Sequence, residues 1–173
     1  WKAKCRGIRE VSEMRYTPAY TLIYRYIDSR NAVLRLEALS GLVRLKGFEG
    51  LKLLRHYALP INDWIQINML HALKTTRDMQ QADISYLLHS PNESLLMLGL
   101  RIVEQFNLGH YLETIEGLRT EGMHIRTLEQ IAATRSKLLF LSIFQNRKRK
   151  LRKKPQNKTE FFLNCQTKLK KSK

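Results

Sequence analysis

The sequence predicts an all-α protein, folded as a right-handed α-solenoid of helical hairpins. Three observations carry this expectation. Apolar residues recur at helical spacing and not in the alternation of strands. The apolar pattern repeats about every 30–31 residues, with two helical blocks per period, so about four to five hairpins fit the chain. Such units bury their stripes only against one another, which makes a stack. Asn, Gly and Pro fall between the blocks, where a hairpin must begin or turn.

The second unit, residues 31–61, sets the pattern. Leu36, Leu39, Leu42 and Leu45 line one helix, and Phe48, Leu51, Leu54 and Ala58 the next. Asn31 is placed to cap the first helix, and Gly47 supplies the turn. The first unit, residues 3–30, matches it in register. Gly7, Ile8, Val11 and Met14 precede Ala38, Leu39, Leu42 and Leu45 by one period, and Tyr20, Ile23 and Ile27 precede Leu51, Leu54 and Ala58. Thr17 is expected to cap the second helix of that unit, with Pro18 at the first helical position, where no amide bond is lost.

The third unit, residues 62–89, begins near Asn62 and carries Ile67, Met69, Leu70 and Leu73. Thr76 interrupts the apolar row, and Asp78 with Gln81 resembles a capping box for a helix bearing Ile84, Leu87 and Leu88. The fourth, residues 90–121, opens on Ser90-Pro91-Asn92-Glu93, read as a Ser cap with Pro first and Glu third. Leu96, Gly99, Leu100, Val103 and Phe106 follow, then Leu112, Ile115 and Leu118. After Gly122 a partial fifth unit, residues 122–146, carries Leu128 and Ile131 and ends in the apolar run 136–146. Small residues at Gly7, Ala38 and Gly99 are expected where first helices approach closely. The competing arrangement, an irregular helical bundle, would need the same offsets to arise by accident.

These patterns, GIREVSEM (7–14), ALSGLVRL (38–45), GLRIVEQF (99–106) and HIRTLEQIA (124–132), resemble the HEAT-repeat family, including its short bacterial-type forms, over about residues 3–133. The resemblance implies a helical-repeat fold and protein contact, and it brings no catalytic signature. Two departures stand out. Thr76 replaces a large apolar residue, and Ala132-Ala133-Thr134-Arg135 follows the fifth first-helix pattern where the family often has Asp and Gly.

Charge divides the chain. Residues 1–133 hold 17 Lys+Arg against 14 Asp+Glu, and residues 134–173 hold 14 against one, so the net +16 splits into +3 and +13. The body is nearly balanced. Residues 147–173 form a basic, low-complexity tail expected to be disordered, with Arg147, Lys148, Arg149, Lys150, Arg152, Lys153 and Lys154 leading it. That tail suits weak contact with nucleic acid or with anionic membrane, or nuclear import in a cell that has a nucleus. The same abrupt change of composition would follow from a frame change or truncation inside the fifth unit.

No apolar run approaches the ~18–20 residues that cross a bilayer. Cys5 and Cys165 lie at opposite ends and read as free thiols in a reducing, cytoplasmic setting. The chain opens at Trp1, so a membrane anchor upstream of it is compatible with these counts.

The sequence offers no glycine-rich phosphate loop, no Cys-x-x-Cys and no His-Glu-x-x-His, so no catalytic residue, metal ligand or cofactor is expected. His110 and Glu113 share a helix face, as solvated polar faces commonly do. Asn92-Glu93-Ser94 and Asn157-Lys158-Thr159 match the glycosylation triplet by chance spacing. In solenoids the second helices line the concave surface. The candidates for partner binding there are Tyr24, Arg25, Arg55, His56, Tyr86 and His89, since Tyr and Arg bury large area while keeping polar contacts. The expected function is a non-enzymatic scaffold for an unidentified protein partner. The alternative is a nucleic-acid binder using the basic tail or the concave face.

Overall fold

The structure, a computed structural model, describes residues 1–55, 57–75 and 83–152, with the side chains of 145, 146 and 148–152 excepted. Among these residues it is all-α, with no strand. Long helices alternate with short ones. The long ones are α1 (Lys2–Glu13), α3 (Ala32–Lys46), α5 (Asp63–Leu73), α7 (Glu93–Phe106) and α9 (Ile125–Arg152). Between them lie α2 (Tyr20–Tyr24), α4 (Phe48–Leu51), α6 (Ser85–Leu88) and α8 (Leu112–Glu116). Three of these short helices are extended by 3-10 turns, at Thr17–Ala19, Lys52–Leu54 and Gly109–Tyr111. Helices of one turn are not stable alone in water, so packing must hold them.

A recurring Asn starts the long helices. Asn31 Oδ1 accepts from the Leu34 amide at 3.0 Å, Asn62 Oδ1 from Ile65 at 2.9 Å, and Asn92 Oδ1 from Ser94 at 3.1 Å. Each satisfies an amide that the first helical turn leaves without a partner. At the same place before α9, His124 Nδ1 accepts from the Arg126 amide at 3.3 Å. Asn92 does more than cap: its Nδ2 donates to the carbonyls of Tyr57 and Leu59, at 3.3 and 2.9 Å, tying the loop before α5 to the start of α7. Gly47, at φ 59°, ends α3 in a conformation that side chains rarely adopt.

The chain divides into two compact units, Trp1–Leu138 and Leu139–Lys173. The boundary drawn from composition at 146/147 falls inside the second. In the first unit α1 packs on α3, α3 on α5 and α5 on α7, while α2 and α4 pack on α3, and α6 on α7 and α8. Helix α3 serves two cores. Leu34, Ala38 and Leu42 join Cys5, Ile8, Ala19 and Ile23, whereas Leu39 and Val43 join the larger cluster that runs through Met69, Leu87, Leu100 and Val103 to Ile131 and Leu138.

Several expectations need correction. Gly7 is not a close-packing site, since a Cβ there would meet nothing within 4 Å. The tight glycines are Gly41, whose Cβ would lie 2.9 Å from Ile8 Cγ2, and Gly50, whose Cβ would lie 2.6 Å from the Leu42 carbonyl oxygen. Gly99 is also tight, but against Leu87 and Leu88 of α6 and not against another long helix. Met14, Ile67 and Ala58 are exposed, because α1 ends at Glu13, Ile67 points outward from α5, and the chain leaves its helical path after Leu54. Thr17 makes no cap, and Tyr16 precedes the turn instead. Helix α7 starts after Asn92 and not after Ser90, whose Oγ accepts from the Asn92 amide at 3.2 Å to shape the turn before it. Arg147–Arg152, expected to be disordered, are helical as the end of α9. Thr76, Asp78, Gln81 and Cys165 lie outside the described residues. Among those described, Asp83 shapes the turn before α6, its Oδ1 accepting from the Ser85 amide at 2.9 Å and from the Ser85 Oγ at 2.6 Å.

Candidate functional site

The six expected partner-binding residues separate. Arg55 and Tyr86 come together: the Arg55 guanidinium sits 5.1 Å from the Tyr86 ring centroid. This cation–π contact joins the end of the Lys52–Leu54 turn to α6. Leu54, fully buried just before it, anchors Arg55, and the phenol ring is held by α6 against the larger core. Burial pushes the Tyr86 hydroxyl well above the ordinary phenol range, against the opposing pull of Arg55. Tyr24 lies elsewhere, exposed and stacked on Tyr20 with ring centroids 6.1 Å apart, and Lys46 Nζ lies 5.6 Å from the Tyr20 ring. Arg25 is exposed at the end of α2. His89 is exposed too, and its Nδ1 bonds the Ser85 carbonyl at 2.8 Å, one turn back in its own helix. His56, Lys153 and Lys154 lie outside the described residues. Of the tail cluster, Arg147 is exposed and Lys148, Arg149, Lys150 and Arg152 continue α9.

An open cavity of about 340 Å³ adjoins Arg55, lined by Tyr57, Ala58, Ser90, Pro91 and Asn92. Tyr57 brings its own cation, since Arg35 Nε donates to the Tyr57 hydroxyl at 3.3 Å. The region thus offers aromatic rings, guanidinium groups and backbone turns beside one open cavity.

A second constellation escaped the sequence reading. Asp63, at the start of α5, takes Arg101 from the middle of α7 at 3.0 Å and Arg126 from the start of α9 at 2.9 Å. Arg101 also donates to Oε1 of the buried Gln66 at 2.8 Å, and Gln66 Nε2 donates to the Ile61 carbonyl at 3.0 Å. Glu93 accepts from the Thr127 hydroxyl at 2.7 Å and from the His124 amide. The Arg101 hydrogen bond first, then the Arg101 and Arg126 charges, hold the Asp63 carboxyl below the usual carboxylate range, and the Thr127 hydroxyl does the same for Glu93. Asp63, Gln66, Glu93, His124, Arg126 and Thr127 line a cavity of about 390 Å³. Among the described residues no buried side-chain N or O lacks a hydrogen-bond partner, and the network links α5, α7 and the start of α9. The signal was present in sequence: an acid directly follows the capping Asn in Asn62-Asp63 and Asn92-Glu93.

Among the described residues no group of three or more His, Cys, Asp or Glu could hold a metal ion, and no helix is long and apolar enough to cross a membrane. No family model, curated protein or solved structure was found to match this chain.

Proposed function

We propose that the chain is a non-enzymatic interaction module, a right-handed α-solenoid of HEAT-like hairpins that holds a protein partner on the face carried by its second helical elements. The observation that carries this reading is the Arg55–Tyr86 contact, which joins residues from consecutive units beside an open cavity. Arg and Tyr anchor interfaces because they bury large area at modest entropic cost. Support for the stacked arrangement comes from the order of packing, long helix on next long helix, and from Asn31, Asn62 and Asn92 recurring at the unit starts. Nucleic-acid binding draws its support from the cationic end of the chain alone, since the body is nearly charge-balanced.

The test is a photo-cross-linking amino acid placed in turn at Arg55, Tyr24 and Gln105, the last an exposed position on α7. The module reading expects one protein to be captured at Arg55, to be absent at Gln105, and to bind the purified chain. Equal capture at all three positions contradicts it.

A further inference from the structure

We propose that the C-terminal part of α9 docks on the surface of an anionic lipid bilayer. Within the unit that begins at Leu139, the helix runs unbroken to Arg152. Its first residues expose bulky apolar side chains: Leu139 is 37% exposed, Phe140 69%, Ile143 56% and Phe144 49%. At 3.6 residues per turn these four fall within an arc of about 140°, one continuous face. Helices that lie in a bilayer interface have such a face, with Phe and Leu entering the acyl boundary.

The charge that follows names the occupant. Five of the six residues Arg147–Arg152 are Lys or Arg, and residues 139–173 hold 12 Lys+Arg against one Asp+Glu. A second copy of this chain would bring the same +11 and repel. A nucleic acid would use the cations but offers Leu139 and Ile143, which have no ring to stack on bases, nothing equivalent to an acyl layer. An acidic protein groove demands cations at fixed spacing, whereas here they spread over the whole segment to Lys173. A fluid sheet of anionic headgroups meets cations at any spacing, so the charge of this segment suits it whatever the order of its Lys and Arg. The docking is interfacial and not spanning, in keeping with the absence, among the described residues, of a helix long and apolar enough to cross.

The experiment is flotation of the full chain with phosphatidylcholine vesicles, with and without phosphatidylserine. Binding is expected with phosphatidylserine only, and to fall as salt rises. The double variant Phe140→Ser, Ile143→Ser should lose about tenfold in vesicle affinity with an unchanged circular dichroism spectrum, since both side chains are exposed. In parallel, Phe140→Trp should add a fluorescence component that shifts to the blue on anionic vesicles. The proposal is overturned by failure of the wild type to float with phosphatidylserine, or by absence of the blue shift. Full vesicle affinity in the double-serine variant, accompanied by tight binding of duplex DNA, would overturn it too and make nucleic acid the occupant.

Discussion

Asp63 of α5 and Arg101 of α7 form an ion pair of 3.0 Å across two successive long helices, and Arg126 of α9 closes on the same carboxylate at 2.9 Å. One side chain at the start of α5 therefore ties the middle of α7 and the start of α9. The folded-state pKa of Asp63 is lowered, so its contribution is present above the ordinary carboxylate pKa and is lost as pH falls through the depressed folded value.

Asp63→Asn should therefore flatten part of the acid limb of the stability–pH curve while costing little at neutral pH. The carboxylate is 43% exposed, so water screens it, and about 0.5–1 kcal/mol is expected. Urea unfolding of both proteins between neutral and acid pH checks this, and parallel curves would refute it.

The two glycine environments give effects of opposite sign. Gly50→Ala forces a Cβ to 2.6 Å from the Leu42 carbonyl oxygen and 2.7 Å from Val43 Cα, both backbone atoms that cannot swing aside. A loss of about 2–3 kcal/mol should follow. Gly7→Ala meets open space inside α1 and should gain about 0.5–1 kcal/mol from helix propensity. Thermal melts of the two variants should move in opposite directions.

Asn31 and Asn92 both cap, but only Asn92 also donates across units through Nδ2. Asn31→Asp should be tolerated to within about 0.5 kcal/mol, since a carboxylate accepts the same amide and suits a helix start. Asn92→Asp loses two donated bonds and turns an anion toward the Tyr57 and Leu59 carbonyls, so about 1–3 kcal/mol should be lost. Chemical denaturation distinguishes the two.

Leu39 and Leu100 are 2% and 0% exposed, on different long helices of one continuous core. Leu39→Asp and Leu100→Asp each bury a charge without a partner and should unfold the first unit cooperatively, at a cost of several kcal/mol. Loss of protection confined to the mutated helix, seen by amide hydrogen exchange, would show that the helices do not share one cooperative core.

What the sequence made legible was what periodicity and capping control. Long helices containing Leu39, Leu70 and Leu100, the Asn31 cap and the Gly47 turn all follow from local chemistry. Met14 and Ala58 did not follow, because apolar spacing continues past the point where a helix ends, and only the folded chain shows where it turns away. Gly41 and Gly50 were passed over in favour of Gly7, since which face of α3 meets α1 or α4 is a tertiary fact. Of the candidate site, Arg55 and Tyr86 were readable as residue types, but their meeting was not, because it brings together residues of different helical elements with α5 between them in sequence. The Asp63–Arg101–Arg126 network was hidden because its partners lie on two other helices, far from Asp63 in sequence.

The central claim is that a partner rests on the second-element face at Arg55. It is tested most directly by the dissociation constant of the protein captured at that position, measured for the wild type, Arg55→Ala and Trp64→Ala. Trp64 is the control, 67% exposed on the long helix α5. Arg55→Ala should weaken binding about tenfold or more, as loss of an interface anchor does, and Trp64→Ala should leave it within about twofold. An unchanged constant for Arg55→Ala together with a large loss for Trp64→Ala would contradict the account and move the binding surface to the long helices.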